Sequence, residues 1–165
     1  MGNKNEVKAI FLDVDGVLNC QLTSDTCDKF IGIEDKKVSL LSKIVKQTKA
    51  IIVLVSSWKE NWTNNPMFKD YQDKMANYLD SKLEKENLYI YDKTIDGDPL
   101  YRGRGILRYI KMMKEKGIYI NKYVILDDEY FDYQETNLLD HLIKTSFYQN
   151  GLEEIHVRKV IEKLC

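Results

Sequence analysis

An apolar run that ends in two carboxylates constrains this chain more than any other stretch. Ile10, Phe11 and Leu12 lead straight into Asp13-Val14-Asp15-Gly16-Val17-Leu18-Asn19. In an extended strand, residues i and i+2 point to the same side. Asp13 and Asp15 are therefore expected to face one pocket together, with Val14 turned into packing. Gly16 has no Cβ, so the backbone can bend sharply off the strand at that point. A strand that ends in a solvated acidic turn is common. Here the acids close what reads as a central, fully apolar strand, and further matching pieces follow downstream. Such a pair can let a nucleophile and a proton donor share one metal ion.

The rest of the composition suits a folded domain. With 165 residues, 44% hydrophobic and 31% charged, the chain reads as one globular domain over 1–165 with a real core. A formal net charge of -1 gives no strongly basic field for holding nucleic acid non-specifically. The charges are mixed rather than blocked. Cys20, Cys27 and Cys165 are an odd set without CxxC spacing, which points to a reduced, cytoplasmic protein, although Cys20 and Cys27 could pair. The first eight residues are polar and no secretory leader is read there. No apolar run approaches the roughly 20 residues of a membrane span, so no membrane partner is expected.

Five short apolar, β-branched or aromatic runs read as strands, at 7–12, 50–55, 88–91, 123–126 and 141–144. Helical faces lie between and after them. Val38, Leu41, Ile44 and Val45 mark the first, with Asp35 near its start. Phe68, Tyr71, Met75, Tyr78, Leu79 and Leu83 mark the second, opened by Asn65-Pro66. Ile106, Tyr109, Ile110 and Met113 mark the third, closed by Gly117. Leu152, Ile155, Ile161 and Leu164 mark a fourth, beginning near Asn150-Gly151. Alternating strands and helices predict an α/β fold: a Rossmann-like three-layer α/β/α sandwich around a mainly parallel five-stranded sheet. Ligands of such sheets bind at the carboxyl ends of the strands. The notable polar residues fall there.

Ser56 follows the second strand, where a hydroxyl and the next N–H groups can hold a phosphoryl oxygen. Ser57 competes for that role, and a helix cap is the commoner use of such a serine. Trp58 and Trp62 read as packing residues. Tyr101-Arg102-Gly103-Arg104-Gly105 precedes the third helix and offers a cation to a phosphoryl group, with Arg102 favoured over Arg104 by position. Asp127 and Asp128 close the fourth strand. Adjacent acids left dry and unpaired are costly, and a bound divalent cation would offset their repulsion. Mg²⁺ suits hard oxygen ligands that leave room for water and a substrate phosphate. No Cys/His cluster supports zinc. His141 and His156 lie far from these pieces and read as structural.

Together these pieces resemble the haloacid dehalogenase-like (HAD-like) phosphohydrolase superfamily. Asp13 to Asn19, the Ser56 strand end, the basic residue near Arg102 and Asp127-Asp128 occur in the expected order. Within it, FLDVDGVLN, SSWK, RGRGI, VILDDE and the segment through Gly151-Leu152 resemble the small HAD domains associated with Swiss Army Knife RNA repair proteins. The resemblance departs at Arg104-Gly105, where an acid would be usual before the helix, and at Lys59, where arginine would be. It implies a phosphatase acting through an aspartyl-phosphate. Asp13 would be the nucleophile and Asp15 the general acid and base. Asp13, the Asp15 carbonyl, Asp127 and Asp128 would hold Mg²⁺. Ser56 or Ser57, with Arg102, would bind the phosphoryl oxygens.

Many relatives carry a cap domain after the first or second strand. The intervals here, 20–49 and 58–101, have no room for a large one. An uncapped site favours large phosphorylated substrates, such as nucleic-acid ends, by analogy. A phosphoprotein, a small metabolite, or a non-catalytic binding domain that kept the fold are the alternatives.

Overall fold

The computed structural model describes residues 5–95 and 98–165. Its framework is a five-stranded sheet in the order β5-β4-β1-β6-β7. The strands are β1 Asn5–Leu12, β4 Ile51–Leu54, β5 Ile90–Lys93, β6 Ile118–Asp127 and β7 Leu142–Lys144. Every pairing in it is parallel. Two-residue strands β2 Thr26–Cys27 and β3 Phe30–Ile31 form a separate small hairpin after β1. This hairpin is the only insertion of its own sheet among the described residues, so no large cap covers the strand ends. Among the described residues four α-helices complete the fold: α1 Asp35–Thr48, α2 Lys74–Glu84, α3 Arg102–Glu115 and α4 Glu154–Leu164.

The period of two along the strands makes the layers. Ile10, Leu12, Ile52, Leu54, Val124 and Leu126 pack on the face that α1, α2 and α4 cover. Ala9, Phe11, Val53 and Ile125 turn to the opposite face, against Ile106, Tyr109 and Met113 of α3. Tyr133 and Leu138, from the loop after β6, fill the rest of that second core. The alternating strand residues thus serve both cores, as a sheet buried on both faces requires.

Several boundaries move from their sequence expectations. α2 begins at Lys74, where the Asp73 side chain caps the Ala76 N–H at 2.9 Å. Phe68 and Tyr71 sit at helical spacing but are exposed and lie before the helix. The Asn65 side chain accepts from Met67 N–H and closes a turn of its own, so Asn65-Pro66 does not open α2. α4 starts at Glu154, after a reciprocal cap between Glu153 and His156. Its buried face is Val157, Val160 and Leu164, while Ile155 is exposed and Leu152 precedes the helix. β6 runs ten residues because Ile118 to Ile120 pair with Asn5 to Val7. That part of β6 holds the short run Ile118-Tyr119-Ile120, with Ile118 and Ile120 packed against the second core, and the polar Asn121 and Lys122 separate it from the run at 123–126. β5 is displaced to Ile90–Lys93. The three cysteines are all free, and His141 stacks on Tyr123 with ring centroids 3.9 Å apart. No helix among the described residues is long and apolar enough to cross a membrane.

Candidate active site

Strand register brings the acids together. Leu12 is level with Leu54 on one side and Leu126 on the other. The next residues therefore share one level at the carboxyl edge of the sheet. Backbone bonds continue the ladder past the strand ends: Asp13 N–H to Leu126 C=O at 2.9 Å, Val55 N–H to Leu12 C=O at 2.9 Å and Thr145 N–H to Asp127 C=O at 3.0 Å.

Asp13 and Asp127 are buried and Asp128 is half-buried, with one oxygen of each within 4.8 Å of the others. Arg102, the first residue of α3, enters this cluster. Its Nη1 lies 3.1 Å from Asp13 Oδ1 and 2.9 Å from Asp127 Oδ2. The Tyr133 hydroxyl donates to Asp127 Oδ2 at 2.7 Å, and Glu129 N–H donates to Asp127 Oδ1 at 3.2 Å. The Phe131 ring packs on the Arg102 guanidinium, 4.1 Å from its centroid. Asp132 fixes the start of α3 from outside the helix. Its carboxylate accepts from Gly103 N–H at 2.6 Å and Arg104 N–H at 3.1 Å, two of the donors that a helix start leaves open. Both bonds set the position from which Arg102 reaches the acids.

The cluster is electrostatically loaded. Burial and the Asp127 charge hold the Asp13 carboxyl well above the usual carboxylate range, with Arg102 pulling it back. Burial, then the Asp127 charge, pushes Asp128 up to about 6. Burial weighs against the Arg102 charge, but Asp13 and Asp127 outweigh it and the guanidinium stays firmly protonated. One cation against three acids leaves an excess that a divalent ion would balance. The residues fit such an ion. All three donors are hard oxygens, as Mg²⁺ prefers. Gly16 makes the space: its φ is +81°, and a Cβ there would lie 2.2 Å from Asp128 Oδ2.

Asp15 has different surroundings. It is exposed, and two neutral donors hold its carboxylate: Asn19 Nδ2 at 2.9 Å and Trp58 Nε1 at 3.1 Å. Asn19 also closes the turn, accepting from Gly16 N–H and donating to Gly32 C=O, each at 2.9 Å. A segment far along the chain clasps the same turn. Thr145 Oγ1 donates to Gly16 C=O at 2.6 Å and Leu152 N–H to Val17 C=O at 2.9 Å. Between them, Gln21 N–H donates to Phe147 C=O at 2.9 Å.

The remaining expected residues divide. Ser56 is buried, and its Oγ accepts from Trp58 N–H at 3.2 Å, the capping use weighed against it. Ser57 is exposed beside it, at the start of one helical turn, Ser57–Lys59. Arg102 is drawn into the cluster, whereas the exposed Arg104 lies over the Tyr101 ring at 4.3 Å. Trp58 packs as expected and also orients Asp15, a role its sequence position did not suggest. Asn19, Asp132, Tyr133 and Thr145 escaped the sequence reading. Asn19 stood inside the first acidic segment. The other three lie in loops without periodicity.

A doubly wound parallel sheet, with this acid-rich site at the carboxyl ends of β1 and β6, defines a HAD-like domain. The chain belongs to the family of HAD domains in Swiss Army Knife RNA repair proteins, whose pattern matches residues 9–157. Its fold is similar to a solved structure described as that of a HAD-like phosphatase from Mesorhizobium loti. The TM-score is 0.57, with 99% of this chain and 90% of that chain covered at 11% identity. No curated protein matches the chain.

Proposed function

We propose that this domain is a Mg²⁺-dependent phosphomonoester hydrolase that removes a terminal phosphate from a polynucleotide or nucleotide. The observation that carries the reading is the pairing of a buried acid inside a charged cluster with an exposed acid two residues on. Asp13, Asp127 and Asp128 would hold the ion, with the Asp15 carbonyl. Asp127 Oδ1 accepts one N–H and retains a lone pair for it. When bound, Mg²⁺ would neutralise the substrate phosphate and lower its repulsion toward Asp13.

An Asp13 oxygen attacks phosphorus, and the bond from phosphorus to the leaving oxygen breaks. Asp15 gives its proton to that oxygen. Water then attacks the aspartyl-phosphate, Asp15 takes the water proton, and inorganic phosphate departs. Arg102 neutralises and orients Asp13 from below. Ser57 and the N–H groups of its turn bind phosphoryl oxygens at the rim, with the buried Ser56 hydroxyl behind them. The uncapped site and the family's place in RNA repair proteins support a polynucleotide end.

The test is phosphate release from 3′- and 5′-phosphorylated oligonucleotides with and without Mg²⁺, beside Asp13→Asn. Release that needs the metal and disappears in a folded Asp13→Asn protein is the expected result. Metal-independent release, or release surviving in the variant, would overturn the mechanism.

A further inference from the structure

The leaving group of any phosphate hydrolysed here has to lie beside Asp15, on the side away from the acidic cluster. A cavity of about 610 Å³ opens at that place, with Asp15 in its wall. Its size suits a small organic ligand. Three aromatic side chains line it, each delivered by a different loop at the carboxyl edge of the sheet. Phe30 comes from the hairpin after β1, Trp58 from the turn after β4 and Phe147 from the loop after β7. Trp58 is anchored by its bond to Asp15. Phe30 is 47% exposed, an apolar ring left open to solvent at the lip of the cavity.

The polar lining narrows the ligand. Glu60 is an acceptor, Asp73 adds charge while its two oxygens accept from Ala76 N–H and Asn61 Nδ2, and Lys29, 5.5 Å from the centroid of the Phe30 ring, is the cation. With Asp15, this wall carries more acid than base. It would repel further phosphates in the cavity and accept a neutral ring bearing N–H or O–H donors. Flat aromatic walls suit a π-face, and base–aromatic stacking tolerates different bases. A phosphorylated serine side chain would leave most of the volume empty.

We propose that this cavity receives the nucleoside attached to the scissile phosphate, its base resting against Phe30 and Phe147. The inference rests on the phosphatase reading and adds the substrate class: a phosphorylated end whose terminal base is unpaired. The base enters alone, and the phosphates of the remaining strand stay outside the acidic wall.

Turnover and binding test it separately. Phosphate release is compared between phosphorylated dinucleotides and the same molecules with the terminal base removed. The base-bearing end should be favoured about tenfold in kcat/KM, and Phe30→Ala or Phe147→Ala should raise its KM about tenfold. Tyr71→Ala, 83% exposed and outside the cavity, is the control that should change neither. Binding is read from tryptophan fluorescence in Asp13→Asn with Trp62→Phe, which leaves Trp58 as the emitter, titrated with adenosine 3′-monophosphate. Quenching should occur and should weaken about tenfold when Phe30→Ala is added. Equal release from base-bearing and abasic ends, with binding unaffected by Phe30→Ala, would overturn this inference and leave the phosphatase reading standing. Quenching that depends on Phe30, without phosphate release by the unaltered protein, would retain the cavity's ligand and overturn the phosphatase reading. Neither quenching nor release would overturn both.

Discussion

Asp13 and Asp15 leave the same strand two residues apart and enter opposite environments. Asp13 is buried among two acids and one arginine, in a corner built by β1, β6 and the start of α3. Asp15 is exposed on a cavity wall and held by two neutral N–H groups. A period of two sets their spacing, but it does not assign their work, and the turn after Leu12 sends them to different surroundings. In the proposed mechanism that depends on what surrounds each: fixed charge beside Asp13, and open access beside Asp15. Acid–base pairs divide by environment in this way.

The contrast can be broken at either acid. Asp13→Asn should lower turnover by more than about 10⁴-fold, since the amide cannot form the intermediate. It should melt no lower than the unaltered protein in metal-free buffer, because a carboxylate that repels Asp127 has gone. Calorimetry beside the phosphate assay checks both. Asp15→Asn should cost about 10²–10⁴-fold, and less with a phenolic leaving group of low pKa that departs without a proton. A loss that ignores leaving-group pKa would remove Asp15 from the acid role.

Arg102 sets the buried half of the comparison. Arg102→Ala strips the cation from two buried acids and should destabilise the metal-free protein by about 3–5 kcal/mol, measured by denaturant unfolding. Mg²⁺ should restore part of that loss.

The pH response sharpens the same half. A carboxyl whose pKa is raised on folding holds its proton more tightly in the folded chain. Its stabilisation is present below the unfolded value, near 4, and is lost as pH climbs through the folded value, about 6 for Asp128. Asp13 acts in the same direction. The metal-free melting temperature should therefore fall between about pH 4 and pH 7. The gain on adding Mg²⁺ should be larger at pH 7.5 than at pH 5, because metal and protons compete for these oxygens. The smallest change expected is at the exposed half. Trp58→Phe keeps the ring but drops the donor to Asp15, and should reduce kcat several-fold with about 0.5–1.5 kcal/mol of stability lost.

Most of this arrangement was legible in the residues. Apolar runs read to end at Leu12, Val55 and Leu126 lie within one residue of the strand ends at Leu12, Leu54 and Asp127, and their acids and serines followed directly. Elements that rely on periodicity alone were less secure. Phe68 and Tyr71 keep helical spacing yet lie outside α2, whose true start is marked by the short-range cap at Asp73. The positioning residues were hidden for a different reason. Asp132 and Tyr133 act across 29 and 6 positions of sequence through side-chain bonds, and a loop's side-chain directions have no period to read. Trp58 was assigned to packing because its polar N–H has meaning only once Asp15 is beside it.

The clasp over Gly16 and Val17 also has a consequence in time. The first acids are made early in synthesis, but Thr145, Phe147 and Leu152 close their turn more than a hundred residues later. At about 5–20 residues per second, a nascent chain spends roughly 6–26 seconds with its acidic turn unclasped. The turn therefore has its full set of bonds only once the segment after the last strand is in place. A chain stalled before residue 145 would carry Asp13 and Asp15 with the Gly16–Val17 turn held by its local bonds alone.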